Sequence, residues 1–492
     1  MSSTETITEL NYGIDDVPKP WPKAVGLGLQ HVLTMFGATI AVPFIIGGAI
    51  GLEGVNLAIL ISSVFIASGV ATALQVTIGT RLPIVQGVSF AFLIPFFAIA
   101  GDYQGAEAMQ VIAGMVIVGA ALPLIIGYGG LIGFLRRFIS PITIGPVIAL
   151  IGLSLFPAAA FNASLHWPVA LLTLALIFVY SLILAPKVRM FSLFPILLAI
   201  LTAYVVALLF TGVGVFEEGN PAAVSFAAVA DSPWFRGFEV GGGGLIFPWG
   251  TPIFDFGFMI AILAAYLASS IESFGDYHAI SRISLLGDPS SKKINRGLGA
   301  EGIGCALTGV FGGFASTSYS ENIGLVGLTK VASRIVVLIG AAALVILGLV
   351  GPVGGAVATI PTPVVGGVYL ALFGLIASVG LSNLQRADMN SQRNLMIVGV
   401  VLFSGFVFPY YFDGVEDFTF FGIEWLGAIV ESVGSNAIAV GALLGILLDN
   451  LIPGTDKERG IGAYDAVIPP GELPGMSELG DAGLKHEDRD ER

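Results

Sequence analysis

Long apolar segments alternate with short polar stretches along most of the chain. Fourteen of these segments have about the length of a bilayer-spanning helix, and charged, glycine or proline residues separate them. The predicted spans are residues 24–50, 55–78, 84–100, 109–125, 139–156, 167–184, 191–210, 253–283, 298–311, 315–334, 335–350, 364–379, 395–411 and 437–451. This pattern predicts an all-α polytopic membrane protein.

The composition agrees with that class of protein. Of 492 residues, 55% are hydrophobic and only 11% are charged, whereas soluble domains carry about 25% charged residues. The single cysteine, Cys305, excludes an intrachain disulfide and a cysteine-based metal site. We expect no cleavable signal peptide, because the N-terminal residues are polar and acidic up to Asp16. The net charge of −13 fits a basic partner or an acidic surface that stays soluble in high salt.

Basic residues are confined to alternate loops. If both termini are cytoplasmic, every lysine and arginine except Arg236 lies inside. The inner loops then carry Arg81, Arg136, Arg137, Lys187, Arg189, Arg282, Lys292, Lys293, Arg296, Lys330, Arg334, Arg386 and Arg393. By the positive-inside rule, this distribution predicts a multi-pass plasma-membrane protein with both termini in the cytoplasm.

The spans divide into two halves at a polar outer loop, residues 212–252. Each half has seven spans, an odd number, so two related halves must be inverted relative to each other. The predicted organisation is a cytoplasmic N-terminal tail at 1–23, repeats at 24–211 and 253–452, and an acidic, disordered cytoplasmic tail at 453–492.

Two segments have the pattern of discontinuous helices. Residues 315–334 read ASTSYSENIGLVGLTKVASR, which places Glu321 and Asn322 at membrane depth after a run of small and hydroxyl-bearing residues. Residues 82–91 read LPIVQGVSFA and lead into a short run interrupted by Pro95. Each segment is third in its half, and paired broken segments indicate a transporter's binding site between them.

A few other polar residues fall within spans. Glu272 and Asp276 are four residues apart and therefore share one helix face. His31 is as compatible with a structural hydrogen-bonded role as with a direct one. Asp276 and Glu301 have the alternative of wet vestibules at helix ends, whereas Glu272 is expected to lie deeper.

At these positions the chain resembles the nucleobase–ascorbate transporters. The resemblance rests on ENIGLVGLTK at residues 321–330, Gln30-His31, QGVSFAF at 86–92 and the Glu-x-x-Gly-Asp of residues 272–276. It covers roughly residues 24–451. It implies short strands in spans three and ten, a core domain (spans one to four and eight to eleven), a gate domain (spans five to seven and twelve to fourteen) and a homodimer.

The resemblance also implies roles for individual residues. Glu272 and Glu321 would hold the base, and Asn322 would support the site. The expected substrate-binding set also includes Ser89, Phe90, Ala91, Tyr319 and Ser320. His31 and Asp276 would tune the site or take part in proton coupling, with Glu301 and Gln86 as further support.

Nucleobase chemistry fits these residue types. Carboxylates accept hydrogen bonds from ring N–H groups, and backbone N–H groups at Ser89, Phe90 or the start of span ten can donate to ring carbonyls. Phe90 or Tyr319 is placed to stack on the ring, worth about 1 kcal/mol. Because burial favours the uncharged form of a carboxyl group, we expect proton-coupled symport, with sodium as the alternative ion. No metal, cofactor or nucleic acid is expected.

The motifs disagree on the base. Uracil carriers of the family tend to have Glu at the position of Glu321, whereas xanthine and urate carriers tend to have Gln and ascorbate carriers Pro. An acid at Glu301, and Asp276 in place of a histidine, are more typical of the purine carriers. We expect uracil slightly ahead of xanthine, with ascorbate disfavoured. An anion carrier of the same fold and an intramembrane enzyme are the other classes; two buried acids argue against the first, and missing catalytic motifs against the second.

Overall fold

The computed structural model describes residues 9–131, 140–217, 219–415 and 418–461. In the first half the helices are α1 (Trp21–Ala49), α2 (Gly54–Thr77), α3 (Leu93–Asp102), α4 (Gly105–Gly119), α5 (Ala121–Tyr128), α6 (Pro141–Ser154), α7 (Phe156–Ser164), α8 (Trp167–Phe178), α9 (Arg189–Leu193) and α10 (Pro195–Gly212). The outer loop carries α11 (Ala227–Asp231). The second half has α12 (Met259–Ile283), α13 (Ser291–Val310), α14 (Ser320–Thr329), α15 (Arg334–Leu349), α16 (Gly351–Ala358), α17 (Thr362–Asn383), α18 (Gln392–Phe412), α19 (Glu424–Gly434), α20 (Ala437–Leu451) and α21 (Asp456–Arg459).

The helices follow the apolar pattern of the sequence. The described residues contain nine helices long and apolar enough to cross a bilayer, together with three shorter apolar helices. The two remaining predicted spans correspond to α13 and to the broken segment that ends in α14. The start of the span predicted at 139–156 lies partly outside the described residues. A multi-pass membrane fold is therefore confirmed, whereas the count of fourteen stays a prediction.

The two broken segments meet as strands. The strands β1 (Gln86–Val88) and β2 (Ser316–Ser318) pair antiparallel, with Gln86 opposite Ser318 and Val88 opposite Ser316. A 3-10 turn at Phe90–Phe92 and α3 follow β1, and α14 follows β2. Both strands are buried. Because unpaired backbone groups are costly inside a membrane, each short strand is stabilised by the backbone of the other.

The packing of the helices forms two groups. In one group, α2 packs on α15 and α16, and α13 packs on α2, α4 and α5. In the other, α17 packs on α6, α7 and α8, while α20 packs on α6 and α18. The two groups meet where α12 contacts α20 and where α1 contacts α10 and α17. The cavity described below lies between them.

The outer loop is fixed to the first group by its one basic residue. The Arg236 guanidinium is buried and donates hydrogen bonds to Ser63 Oγ (2.9 Å) and to the carbonyls of Gly243 (3.1 Å) and Gly244 (2.5 Å). Burial lowers the pKa of Arg236 to about 10, so the side chain remains a cation at neutral pH. The polar loop is thus attached to α2 through a buried charge.

Part of each predicted tail is ordered. Residues 10–16 of the N-terminal tail pair with the chain that follows α14, and α1 begins at Trp21. The segment predicted to be disordered from residue 453 instead forms α21, whose Arg459 pairs with the buried carboxylate of Asp449 at 2.9 Å. The buried acid explains the difference, because Arg459 adds a second cation to the one that Arg393 supplies at 3.0 Å. Residues 462–492 lie outside the described residues.

Candidate functional site

The site is built around the turn from β2 into α14. Tyr319 follows β2 directly, and its hydroxyl donates to the carbonyl of Val88 at 3.1 Å. Its ring lies against Gly87, where an added Cβ would be 2.6 Å from Cε2. Only glycine therefore fits opposite this ring. The contact fixes the strands in register and leaves Ser320 and Glu321 to open α14.

The face of α12 that meets this turn carries two acids. Asp276 is buried and accepts hydrogen bonds from the hydroxyls of Ser318 (2.7 Å) and Ser320 (2.8 Å). These two serines flank Tyr319, so one carboxylate holds both ends of the turn. Ser273, one turn earlier on α12, lies 3.1 Å from the Ser318 hydroxyl. Asp276 thus stabilises the start of α14 against α12.

A cavity of about 420 Å³ opens beside this turn. Its volume lies within the range of small-molecule sites, about 300–1,000 Å³. Three acids line it: Glu272 and Asp276 from α12, and Glu321 from α14. The other predicted residues in its wall are Phe90, Ala91, Tyr319 and Ser320.

Glu272 and Glu321 differ from Asp276 in having no such partners. Among the described residues, no side chain donates a hydrogen bond to either carboxylate, and both are partly exposed to the cavity. Glu321 lies in the first turn of α14, where the helix dipole stabilises a negative charge. These two carboxylates have free acceptor capacity facing the cavity, whereas each oxygen of Asp276 already accepts one hydrogen bond from the turn into α14.

The backbone donors around the cavity differ from expectation at one position. The backbone N–H of Ser89 donates to the carbonyl of Ala315 at 3.0 Å, because the strand pairing extends one residue beyond β1. It is therefore not available to a ligand, contrary to the sequence-based expectation, and Ser89 does not line the cavity. The first N–H groups of a helix have no intrahelical partner, so those at Phe90 and at the start of α14 remain candidates.

Asn322 and His31 form a pair behind the cavity wall. The side-chain amide of Asn322 donates to the carbonyl of His31 at 2.9 Å, and its Nδ2 lies 3.2 Å from His31 Nδ1. Both residues are buried, and neither lines the cavity. The pair connects α14 to α1. A supporting position for both agrees with the geometry, whereas direct contact between Asn322 and a ligand in this cavity does not.

Glu301 belongs to a separate buried network. Its carboxylate accepts a hydrogen bond from the Tyr277 hydroxyl at 2.8 Å, and that hydroxyl accepts one from Gln75 Nε2 at 2.6 Å. Glu301 is only 3% exposed, so it does not lie in a wet vestibule. Its other carboxylate oxygen lies 3.5 Å from the Ser269 hydroxyl, so Glu301 is linked to α12 through Ser269 and Tyr277, neither of which lines the cavity.

Gln86 lies in β1 but outside the cavity wall. Its side-chain amide is fully buried and has no hydrogen-bond partner among the described residues. The backbone N–H of Gln86 donates to Thr72 Oγ1 at 2.9 Å, which attaches β1 to α2. The backbone of Gln86 therefore has a clear structural role.

The opposite wall of the cavity was not predicted from sequence. It is formed by an apolar face of α6 and by one side of α17 with the 3-10 turn that follows it. These residues are Ile144, Ile148, Ile151, Leu375, Ile376, Val379, Asn383 and Arg386. Apolar residues on an apolar helix do not stand out in a sequence, whereas Asn383 and Arg386 mark the end of a span and are detectable as polar residues beside it.

A helix bundle that encloses an acid-lined cavity between two broken segments has the architecture of a secondary membrane transporter. A family model described as a permease family matches residues 22–414. The chain therefore belongs to this permease family, that of the nucleobase–ascorbate transporters. The family resemblance in the motifs is thus confirmed, and the relatives are transporters rather than enzymes.

Two relatives illustrate the extent of the match. The chain is 38% identical to solute carrier family 23 member 2 of Rattus norvegicus, over 95% of this chain and 79% of the relative. It is 33% identical to nucleobase-ascorbate transporter 1 of Arabidopsis thaliana, over 93% of this chain and 92% of the relative. In both cases the match covers more than nine-tenths of this chain.

Solved structures share the fold at low identity. The murine anion transporter solute carrier 26 family member A9 matches with a TM-score of 0.61 at 12% identity, over 89% of this chain and 69% of that one. The transmembrane domain of the cyanobacterial bicarbonate transporter BicA matches with a TM-score of 0.54 at 13% identity, over 86% of this chain and 99% of that domain. These similarities extend to the fold alone.

Proposed function

We propose that the protein imports a nucleobase by proton-coupled symport, with uracil slightly preferred over xanthine. The observation that carries the proposal is the pair of carboxylates, Glu272 and Glu321, which face one cavity and accept no hydrogen bond from a described side chain. A neutral heterocycle with ring N–H groups would satisfy them. An anion would be repelled by three acids in one cavity, which argues against an anion carrier.

The site offers complementary groups for a flat base. Glu272 and Glu321 accept from ring N–H groups, and the free N–H groups that open α14 donate to ring carbonyls. Phe90 lies in the cavity wall, with its ring edge-on to Phe373 at 6.0 Å. The two rings thus pack perpendicular to each other, and the Phe90 side chain still borders the cavity. Tyr319 instead uses its ring against Gly87, which leaves Phe90 as the stacking partner.

Proton coupling follows from the same carboxylates. The affinity of a buried carboxyl group for protons depends on whether a hydrogen-bond donor occupies the site beside it. Binding of a base next to Glu272 or Glu321 therefore changes proton affinity, and transport couples to the proton gradient. His31 and Asn322 behind α14, and Glu301 behind α12, would adjust these elements without touching the base.

The packing groups support movement of a core domain against a gate domain. The cavity has acids from α12 and α14 on one side and the apolar faces of α6 and α17 on the other, so it lies between the two groups. It extends to Asn383 and Arg386, in the part of the chain predicted to be cytoplasmic. We take this to be an inward-open arrangement in the plasma membrane, with both termini cytoplasmic. Most residues of helices α8, α10 and α18 are not buried by the rest of the chain. A homodimer through the gate domain would require such exposed apolar surface.

Competition for uptake tests the proposal. Purified protein in proteoliposomes should accumulate radiolabelled uracil, and excess unlabelled uracil or xanthine should reduce the uptake, whereas bicarbonate or ascorbate should not. Stronger inhibition by xanthine than by uracil would favour the purine alternative. Uptake of bicarbonate, with neither base accumulated or competing, would contradict nucleobase transport altogether.

A further inference from the structure

The half-helix α14 is short and needs anchors at both ends. It has ten residues, and isolated helices shorter than about 12–15 residues are marginally stable. Its N-terminal end is held by Asp276 through Ser318 and Ser320. Its last carbonyl groups cannot be satisfied within the helix. The position of Glu321 therefore depends also on what holds the far end.

That far end is held by the N-terminal segment of the chain, residues 10–16, here called the N-terminal strap. The side-chain amide of Asn11 donates to the carbonyl of Thr329 at 2.8 Å, and the Asn11 backbone N–H donates to the carbonyl of Lys330 at 2.8 Å. Lys330 has a left-handed conformation, φ 57°, which turns the chain out of the helix. Two carbonyl groups at the end of α14 thus have their donors in a segment more than 300 residues away in sequence.

The pairing continues along the strap as a short parallel bridge. The backbone N–H of Ala332 donates to the carbonyl of Tyr12 at 2.9 Å, and that of Arg334 donates to the carbonyl of Ile14 at 3.0 Å. Arg334 also pairs with the carboxylate of Asp15. Asp15 is largely exposed, so this ion pair adds little, and the backbone bonds provide the specificity.

The strap also has a buried face. Leu10 and Ile14 pack against an apolar cluster that joins all three elements of the site. The cluster includes Ile323 and Val326 of α14, Phe274 and Tyr277 of α12, and Leu82 and Ile84 before β1. The strap therefore contacts the back of the assembly whose front is the cavity.

We propose that the N-terminal strap is a positioning element of the binding site, which holds α14 so that Glu321 and the free N–H groups reach the ligand. The proposal rests on the proposed function only in naming a base as the ligand. Displacing the strap frees the C-terminal end of α14, so that the half-helix frays and substrate affinity falls. Any modification or partner that removes residues 10–16 from their contacts with the end of α14 would reduce transport in the same way.

The test compares two substitutions of one residue. Asn11→Pro removes both the backbone and the side-chain donor, whereas Asn11→Ala removes only the side-chain donor. Deletion of residues 2–8 leaves the strap in place and is the matched control. Each variant is purified as the full-length membrane protein, and two quantities are measured: amide hydrogen exchange by residue range, and the Kd for uracil and xanthine.

The proposal predicts about tenfold faster exchange across residues 320–329 in Asn11→Pro, with α2 and α15 unchanged, and a smaller effect in Asn11→Ala. The Kd for the base should rise about threefold to tenfold in Asn11→Pro. Deletion of residues 2–8 should change neither quantity. Unchanged exchange in α14, faster exchange in every helix alike, or faster exchange of α14 with an unchanged Kd would each overturn it. If the wild-type protein binds neither base, the proposed function fails, and the exchange measurement still decides whether the strap holds α14.

Discussion

The hydroxyl of Ser320, the first residue of α14, donates a hydrogen bond to Asp276 of α12 at 2.8 Å. Ser318 donates to the other carboxylate oxygen at 2.7 Å. Asp276 lines the cavity, and each of its oxygens already accepts a hydrogen bond from the turn into α14. In the proposed function, Asp276 is a positioning residue, and Glu272 and Glu321 recognise the base.

This arrangement predicts non-additive effects of substitution. Asp276→Ala loses both hydroxyl acceptors, and Ser320→Ala loses one of the two donors, so the bond that the second variant removes is already missing in the first. We expect each single variant to raise the KM for the base about fivefold to tenfold. The double variant should be no worse than the more severe single one, as a double-mutant cycle of uptake would show. Multiplication of the two effects would mean that the residues act separately.

The close contact between Gly87 and the Tyr319 ring predicts that any side chain at residue 87 would clash with that ring. Gly87→Ala would force the Tyr319 ring away from β1, at a cost of about 1–3 kcal/mol, and should lower both the melting temperature and uptake. Gly26, on α1, has no neighbouring atom within 4 Å of an added Cβ. Gly26→Ala should therefore leave stability equal or raise it by up to about 1 kcal/mol. Equal melting temperatures for the two variants would contradict the close contact at Gly87.

Two ion pairs, one buried at the start of the C-terminal tail and one partly exposed, should differ in their contribution to stability. Asp449 is fully buried and pairs with Arg393 at 3.0 Å and with Arg459 at 2.9 Å. Asp449→Asn leaves two cations without their counter-charge and should destabilise by about 3–5 kcal/mol. The Arg282–Asp288 pair has side chains 40% and 32% exposed, so Asp288→Asn should cost less than about 1 kcal/mol. Thermal unfolding in detergent gives both values, and an Asp449 variant as stable as the Asp288 variant would show that α21 is dispensable.

Proton-coupled symport predicts that uptake of the base depends on the direction of the proton gradient. Proteoliposomes that are more alkaline inside than outside should accumulate uracil above its external concentration. Collapse of the gradient by a protonophore should reduce uptake to equilibration, because the proton then carries no driving force. A sodium gradient alone should have no effect. Accumulation that follows sodium and ignores the proton gradient would assign the coupling to sodium.

The sequence predicts the fold well where composition decides the outcome. Long apolar segments can only be membrane helices, and the prolines, glycines and small residues around Gln86 and Ser318 break two of those helices. Glu272 and Glu321 are recognisable because charged residues at membrane depth are rare. For each of these positions, the local sequence is sufficient evidence.

The partners of these residues cannot be predicted in the same way. Two contacts depend on how distant segments pack: the hydrogen bond from Ser320 to Asp276, and the one from Asn11 to the carbonyl of Thr329. Asn322 shows the same limitation. Its position in the motif suggests a ligand contact, whereas in the folded chain its side chain is directed at His31. The wall formed by Ile144 and its neighbours is not detectable, because its residues are as apolar as those that face lipid.

In the proposed site, the carboxylates of Glu272 and Glu321 hold the base. Equilibrium binding of radiolabelled uracil to purified Glu272→Gln and Glu321→Gln, with exposed Glu107→Gln as the control, tests it most directly. Loss of one charge-assisted hydrogen bond should weaken binding by roughly 10- to 150-fold in each site variant, with the control unchanged. Wild-type affinity in both site variants would contradict the account.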